Sequence, residues 1–423
     1  MTGADEYLQA YHKMLKSNDI LLNGTPEAQA GINASNGLFD GALGLVYNPF
    51  GGDRTTVISP DGNFRGGSPL WQDDWRDYLL IENSGVESYY LSLAGGSEDT
   101  KYFVSLGHEK NTGLNINTGF KRSTLKTNVE TSFNDNLKAG LSLSYTNREQ
   151  TGTLTNNITG NFAWIRNTAP IYPVFAVDHN TGALALDANG NTQWDWADVT
   201  SPNAAGPRPY NGFSNPHALQ TLNVNSNQRD NFTSRAFLNY EFLEDFSFRY
   251  VLGYDLADYN TVNYTNNKVG SASSASINGR LNQQHGRRTT ITNQQLLTWK
   301  KTINELHNLE ILLGHESTEN ETKFVDVSLR NQFISSDLSP SLFAVPDGDG
   351  AIFGSPSLYH LEGYFARALY DFDNKYYING SFRRDGSSVF HPDNRWGNFY
   401  GIGVAWRVTN EGFMNDVTWV NEL

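Results

Sequence analysis

The stretch that decides the fold runs from residue 86 to residue 147 and reads VESYYLSLAGGSEDTKYFVSLGHEKNTGLNINTGFKRSTLKTNVETSFNDNLKAGLSLSYTN. Apolar side chains alternate in it with small or polar ones, which indicates β-strands because successive strand residues point to opposite faces. In its last segment one row contains Leu137, Ala139, Leu141, Leu143 and Tyr145. The other row contains Lys138, Gly140, Ser142, Ser144 and Thr146.

Three earlier segments of this stretch alternate in the same way, and tight turns are expected at residues 95–99 and 134–136. Four strands of roughly ten residues, apolar on one face and small or polar on the other, have the length and pattern of membrane-spanning strands. A sheet in lipid must close on itself because lipid offers no hydrogen bonds. A soluble antiparallel sheet with one solvated face alternates equally well, so this stretch alone leaves both classes open.

The composition narrows the class of protein. The 423 residues include 21 Tyr, 24 Phe and 39 Gly, only 38% are hydrophobic, and no apolar run has the length of a spanning helix. This mixture suits a β-barrel with interfacial aromatic residues, and also a secreted carbohydrate-binding β protein. The net charge of −14 argues against nucleic acid as a partner. The absence of cysteine excludes disulfides and thiolate metal sites.

The N-terminal part has a residue pattern that does not indicate β-strands. Residues 4–16 place Tyr7, Leu8, Tyr11 and Leu15 at helical spacing, whereas the Gly-, Asn- and Pro-rich stretch to about Gly67 is predicted to be loop. A short helix is possible within residues 70–79, and no signal peptide is recognisable. We therefore divide the chain into an N-terminal helix and extracellular loop region, 1–85, and a strand region, 86–423.

The remaining strands are separated by connections of two kinds. About eleven strands are predicted in all, and short turns follow the first, third, fifth, seventh and ninth. The long connections are read as loops over residues 148–229, 256–286 and 316–357. Outer-membrane barrels have this asymmetry, with short periplasmic turns and long outer loops, whereas a sandwich has no reason for it. The fold class is therefore predicted to be all-β, an antiparallel outer-membrane β-barrel with long extracellular loops and little helix.

Further signals lie in the short segments 73–77, 90–97, 171–174, 382–390 and 394–397. They resemble segments of a known family, the SusC/RagA-type TonB-dependent outer-membrane transporters. The family's Asn-Leu-Ser-Val-Ser-Gly-Gly-Ser segment is similar to Tyr90–Ser97, and its aspartate–tryptophan and Tyr-Pro-Val elements are similar to residues 73–77 and 171–174. Near the end, the segments FRRDGSSVF (382–390) and NRWG (394–397) are typical of the family. These elements occur in the family's order from about Asp73 onward.

The resemblance implies a barrel of about 22 strands with a plug domain and a TonB-contacting segment. Only about half of those strands are readable here, so we expect an internal barrel fragment that lacks the plug and is not transport-competent alone. The family imports oligosaccharides or peptides with energy from TonB, together with a SusD-like surface lipoprotein. The implied location is the outer membrane. The alternative is a soluble or surface β-sheet protein for carbohydrate binding or adhesion.

Catalysis is not expected from this sequence. The segment 347–350 lacks the ligand spacing of a calcium loop. The acidic group of Asp73, Asp74 and Asp77 is better interpreted as a charge cluster at the start of a helix. The histidines lack the spacing found in zinc enzymes. No nucleophile elbow or phosphate-binding glycine loop occurs. We therefore predict no enzyme activity, no catalytic residue, no metal and no cofactor.

Ligand binding is the expected role of the longest connection. Its aromatic residues could stack on a sugar or peptide, and nearby Asn and Asp side chains could hydrogen-bond to it. The candidate ligand-binding residues are Trp164, Trp194, Trp196 and Tyr210. Packing of the loop against itself or a lid is the competing role for each of them.

Two structural expectations follow from the strand pattern. Leu137, Leu141, Leu143, Phe248, Leu252, Ile402 and Val404 should face lipid, and Ser142, Ser144, Arg249 and Arg407 should face the lumen. The sheet should be open and curved, because half the strands of a wide barrel cannot close at its curvature.

Overall fold

The computed structural model describes residues 3–40, 45–152, 160–196, 214–267, 278–331, 345–347, 352–416, 419–420 and 423. Within these residues the strands are β1 (Gly85–Gly96), β2 (Thr100–Thr112), β3 (Gly119–Asn134), β4 (Leu137–Thr151), β5 (Val224–Phe242), β6 (Phe246–Thr265), β7 (Arg280–Ile303), β8 (His307–Arg330), β9 (Val345–Pro346), β10 (Ile352–Phe372), β11 (Tyr376–Ser387) and β12 (Trp396–Trp406). The helices are α1 (Ala4–Asn23), α2 (Glu27–Gly37), α3 (Trp75–Leu79), α4 (Asn161–Asn167) and α5 (Pro216–Leu222). Short 3-10 turns lie at Pro392–Asn394, Val408–Asn410 and Gly412–Met414. No helix in the described part is both long and apolar enough to cross a bilayer.

All the strands belong to one antiparallel sheet in which neighbours in sequence are neighbours in space. The order is β1 to β8 followed by β10, β11 and β12, and the two-residue β9 pairs with β8 beside this path. The eleven long strands and the alternation of short and long connections are confirmed. Three of the short turns contain two consecutive left-handed residues, at 243–244, 304–305 and 373–374, a backbone typical of tight hairpins.

The register gives the sheet one apolar and one polar face. One row of directly paired residues crosses eight strands on the apolar face: Leu137, Tyr240, Phe248, Leu297, Leu313, Ala366, Phe382 and Tyr400. Leu141, Leu143, Leu252, Ile402 and Val404 share this face, whereas Ser142, Ser144 and Arg249 lie on the other. Ile402 is 84% exposed and Leu313 is 51% exposed, so nothing described covers the apolar face. Arg407 follows the last residue of β12, and its guanidinium carbon lies 5.6 Å from the centroid of the Tyr377 ring on the polar face.

Aromatic rings collect on the apolar face at the end of the sheet that carries the short turns. Tyr240, Phe242, Phe246 and Trp299 follow one another at centroid separations of 5.6, 5.5 and 6.3 Å. His307, Phe372, Tyr376 and Trp406 form a second series at 4.9, 6.3 and 6.4 Å. Such a belt is typical of the boundary between lipid and water in outer-membrane barrels.

The sheet is open within the described residues. The strands β1 and β12 end the path and do not pair with each other, as predicted. Backbone groups on such edges are templates for further strand pairing. The described strands therefore form an open sheet whose edge strands are β1 and β12.

The predicted loops at the opposite end of the sheet are partly wrong. The strands β6, β7, β8 and β10 continue far beyond the apolar row, through residues read from sequence as loop. Their outer parts are mostly polar, as in Thr289 paired with Glu321, apart from a small buried cluster of Tyr264, Leu281 and Leu329. The hydrophobic alternation weakens there, although the backbone hydrogen bonds of the sheet continue. The sequence pattern therefore predicts strands that are shorter than the observed ones.

A compact cap holds most of the buried side chains of the molecule. We use "cap" for residues 3–40, 45–82, 160–196 and 214–223, which contain all five helices. One cluster joins α1 and the following segment to residues 169–177, through Leu8, Tyr47, Ile58 and Ile171 among others. The prediction of a loop up to Gly67 is therefore wrong, because this stretch includes helix α2 and part of a core. The prediction that 148–229 is all loop is also wrong, because this connection includes α4 and α5. Short helices separated by Gly and Pro carry no sustained period in sequence.

Candidate functional site

The two halves of the cap are joined by hydrogen bonds between residues 71–75 and 170–174. The indole Nε1 of Trp71 donates to the Ile171 carbonyl at 3.0 Å, and that of Trp75 donates to the Tyr172 carbonyl at 2.9 Å. Between them, the Asp73 carboxylate accepts the Val174 amide at 2.7 Å. The segments resembling the family's aspartate–tryptophan and Tyr-Pro-Val elements are therefore in direct contact, which sequence order alone does not show.

The carboxyl group of Asp73 is the buried acid of this contact. Burial is the main cause that raises its pKa, against the Val174 amide and the Tyr78 hydroxyl, which favour the ionised form. The Tyr78 hydroxyl lies 3.3 Å from the carboxylate. Asp74 instead accepts from the Arg76 amide at the start of α3, so it caps a helix as expected for this charge cluster.

Trp164, a predicted ligand-binding residue, lies in the second core cluster of the cap. It is 1% exposed on α4 and packs edge-on against Trp75, with ring centroids 5.2 Å apart. Leu79 and Val174 complete the cluster. In this arrangement the ring presents no free face for stacking, so its position is that of a packing residue, the competing role considered from sequence.

Trp194 and Trp196 lie on the neighbouring strand-like segment and are only half-buried. The indole Nε1 of Trp194 donates to His217 Nδ1 at 3.2 Å, and its ring lies 6.3 Å from that of Phe175. Tyr210, the fourth candidate, lies outside the described residues. The structure thus brings Trp194 close to the core that contains Trp164, while ligand binding by Trp194, Trp196 and Tyr210 stays a prediction.

A buried polar network beside these rings was not anticipated from sequence. The Asn215 side chain is 0% exposed and donates to the carbonyls of Val174 and Asp195 at 2.7 and 3.0 Å. Its Oδ1 accepts from the Ala218 amide at the start of α5. Tyr47 donates to the Asp195 carboxylate across the cap at 3.0 Å. Asn followed by Pro is a helix-start signal, and it could have located α5.

The cap rests on the end of the sheet opposite the aromatic belt. Asn117, between β2 and β3, donates from its side chain to the Gln220 carbonyl of α5 at 2.7 Å. Asn161 of α4 donates to Asn115 at 3.2 Å and is also hydrogen-bonded to Gln220. Polar side chains therefore fix the cap over the rim formed by the ends of the first strands.

The surroundings of three cap histidines favour the neutral imidazole. Burial is the main cause that lowers the pKa of His12, His179 and His217. His12 joins α1 to α2 through Ser35 Oγ at 3.1 Å and the Gly31 carbonyl at 3.3 Å. The ring of His179 stacks on that of Trp71 at 5.3 Å.

The cap is expected to lose stability on acidification. Because these pKa values are lowered below 6.5 in the folded cap, the unfolded cap binds more protons as the pH falls through that value. Stability should be constant above about pH 7 and decline from about pH 6.5 downward. Hydrogen exchange of cap amides at pH 7.5, 6.5 and 5.5, corrected for intrinsic rates, measures this. A cap that gains protection at pH 5.5 would contradict the account.

No group of three or more metal-ligating side chains occurs among the described residues. Asp347, considered for a calcium loop, lies 2.7 Å from Arg280 and 3.7 Å from Arg330, so both arginines neutralise it. Gly348 to Gly350 lie outside the described residues.

Comparisons with known proteins agree on one family. No family model matches the chain. TonB-dependent receptor P3 of Formosa agariphila is 24% identical over 352 residues, which are 81% of this chain and 32% of that protein. The TonB-dependent receptor SusC of Bacteroides thetaiotaomicron is 25% identical over 397 residues, 88% of this chain and 37% of that protein. The chain is similar in sequence to TonB-dependent receptors, SusC among them. It spans about a third of the length of the curated relatives that it matches.

A solved structure shares the fold of this chain. A structure titled the RagAB peptide importer in the closed-closed state aligns with a TM-score of 0.61 at 20% sequence identity. The alignment covers 98% of this chain and 42% of the other. The long strands and the cap are thus both part of the shared architecture of the TonB-dependent receptor barrel.

Proposed function

We propose that this receptor chain forms part of the membrane-spanning wall, and the outer cap, of a TonB-dependent importer in the outer membrane. The observation that carries the proposal is the apolar row across eight strands, uncovered on its outer side and bordered by an aromatic belt at the short-turn end. A soluble sheet protein for carbohydrate binding needs a second layer over that face. The belt marks the periplasmic boundary, so the cap lies outside the cell.

The transport cycle needs parts that the open sheet does not supply. Further strands would complete the wall, and a plug linked to TonB would couple energy to ligand release. A SusD-like surface lipoprotein would close over the cap. The ligand is proposed to be a peptide or an oligosaccharide, with no chemical conversion. The similarity of the chain to TonB-dependent receptors and to a structure of a peptide importer supports this assignment.

Uptake measurements test the proposal. In the native host, deletion of the gene for the receptor containing this chain should abolish growth on one class of peptide or glycan supplied as sole nutrient. Loss of TonB should have the same effect while leaving the receptor in the outer membrane. Uptake that persists without TonB, or a receptor found in the soluble fraction, would contradict the proposal.

We predict that Trp194 and Trp196 contribute to ligand affinity. Replacing both by Ala should weaken binding of the transported ligand by roughly tenfold, since one aromatic contact contributes on the order of 1 kcal/mol. Binding to the purified receptor is measured by calorimetry, with surface abundance quantified in parallel. Leu184→Ala, an exposed aliphatic position in the same segment, is the control. Unchanged affinity at normal abundance would assign both indoles to packing.

A further inference from the structure

Three arginines lie side by side on the polar face of the sheet. Arg122 of β3 is paired in register with Arg148 of β4, and Arg148 with Arg229 of β5. Like charges directly opposite each other on neighbouring strands are destabilising. An arrangement of three therefore calls for an anion to neutralise it.

The protein itself neutralises only one member of this arginine row. Arg122 forms an ion pair with Glu109 at 2.7 Å. Within the described residues, neither Arg148 nor Arg229 has a carboxylate within 4.0 Å. Arg148 donates one hydrogen bond to Asn227 at 3.1 Å, and its buried Nε has no hydrogen-bond partner among the described residues. Arg229 is exposed.

A tyrosine extends the row on one side. Tyr259 of β6 is paired with Arg229, and its ring lies across Gly286 of β7. A Cβ at Gly286 would lie 2.3 Å from the Tyr259 ring, so only glycine leaves room for the ring in this position. The phenol adds a neutral donor beside the guanidinium groups.

The basic character continues from the rim toward the middle of the wall. On the same face, Lys126 lies four residues beyond Arg122, and Arg235 lies six residues beyond Arg229. Together with Ser142, Ser144 and Thr233 they line a depression of about 280 Å³. Neither cation has a carboxylate within 4.0 Å in the described part of the wall. In a chain of net charge −14, bulk composition does not explain this track.

The position of the row is at the capped end of the strands. Arg122 is three residues from the start of β3, and Arg148 is three residues from the end of β4. That is roughly 10 Å below the rim on which the cap rests. A ligand that passes the cap meets these guanidinium groups first, whereas a plug would fill the barrel from the opposite end.

We propose that Arg122, Arg148 and Arg229 bind an oligomeric ligand with closely spaced carboxylates at the outer mouth of the lumen. This rests on the proposed import function and specifies its substrate class as acidic. Guanidinium groups hold carboxylates through paired, charge-assisted hydrogen bonds. The carboxylates can belong to an acidic peptide or to a uronic-acid oligosaccharide, and Lys126 and Arg235 continue the path inward.

Matched charged and neutral probes test the assignment on the purified whole receptor. The probes are heptaglutamate against heptaglutamine, and an oligogalacturonate against a malto-oligosaccharide of equal length. We expect one acidic probe to bind at least tenfold more tightly than its neutral partner, with affinity falling as salt rises. Which acidic probe binds identifies the source of the carboxylates. Equal binding of charged and neutral probes, or binding of none, would overturn the proposal.

Variants separate binding from folding. R148Q/R229Q should weaken binding of the acidic probe at least tenfold. It should not lower the thermal midpoint of unfolding of the empty receptor, because it removes neighbouring like charges. R148K/R229K keeps the charges and should bind with intermediate affinity. Lys121→Gln, next to Arg122 but on the other face, is the control. If R148Q/R229Q binds the acidic probe as tightly as the unchanged receptor, the assignment of the arginine row is wrong. TonB-dependent uptake of neutral ligands would in that case still support the import function.

Discussion

Replacing Trp164 by Ala is expected to unfold the cap while leaving the strands paired. The side chain is 1% exposed and is enclosed by Trp75, Leu79 and Val174. Truncating a buried Trp to Ala removes its transfer free energy and leaves a cavity, at a cost of about 3–5 kcal/mol. A cap built from short helices and loops has a small core, so a loss of this size is a large part of its stability.

The measurement is limited proteolysis together with hydrogen exchange of the cap peptides in the folded receptor. Phe162→Ala is the matched control, because Phe162 lies on the same helix α4 and is 59% exposed. The Trp164 variant should expose cleavage sites within the cap, and the Phe162 variant should not. Equal protection in the two variants would show that the Trp75–Trp164 contact does not hold the cap together.

Replacing Leu297 by Arg is expected to prevent stable assembly in the membrane. Leu297 is paired with Phe248 and Leu313 in the middle of the apolar row. A lipid-facing Arg costs about 2–4 kcal/mol at the bilayer midplane of outer-membrane barrels and less toward the boundary, and Leu297 lies two residues inside Trp299 of the aromatic belt. The unfavourable term is desolvation of the guanidinium group, for which lipid offers no hydrogen-bond partner.

Thr298→Arg is the matched control for this change. Thr298 is the next residue of β7, on the polar face, where its neighbours Ser247 and Leu312 are uncharged. Folded receptor is quantified by its heat-modifiable migration on gels and by surface abundance. The Leu297 variant should be depleted and the Thr298 variant retained. Depletion of both, or of the Thr298 variant alone, would contradict the assignment of the faces.

The strands near the membrane could be predicted from sequence because one environment acts on each face. Leu137 to Tyr145 alternates over its whole length, and the structure confirms both the strand and its facing. The alternation of short turns and long connections also gave the correct strand order. These signals are local, so a single sequence contains them.

The outer strand extensions and the cap could not be predicted in the same way. Thr289 and Glu321 are paired in a part of the ladder where polar residues outnumber apolar ones, so only a weak hydrophobic period marks the strands there. In the cap, Asp73 meets Val174 across 101 positions of sequence, and Trp75 meets Trp164 across a similar separation. Contacts of this kind depend on the folded arrangement, which spacing along the chain does not report.

The candidate site could be predicted only in part, for the same reason. Aromatic residues in a long connection indicate either stacking on a ligand or packing, and only burial distinguishes them. Trp164 is enclosed, whereas Trp194 and Trp196 are half-buried. The arginine row depends on register across three strands, so Arg122, Arg148 and Arg229 are unremarkable in sequence and adjacent only in the sheet.

Single-cysteine labelling along β8 tests the central account, a sheet with one face in lipid and one toward the lumen. The chain contains no cysteine, so each introduced thiol is the only one that this chain contributes. Cysteines at Leu309, Ile311 and Leu313 lie on the apolar face, and those at Asn308, Glu310 and Leu312 lie on the polar face. A polarity-sensitive fluorophore on each is challenged with a lipid-embedded quencher and with a water-soluble quencher. The account predicts strict alternation, with the lipid quencher acting at 309, 311 and 313 alone. Equal quenching of both sets by the water-soluble reagent would contradict it.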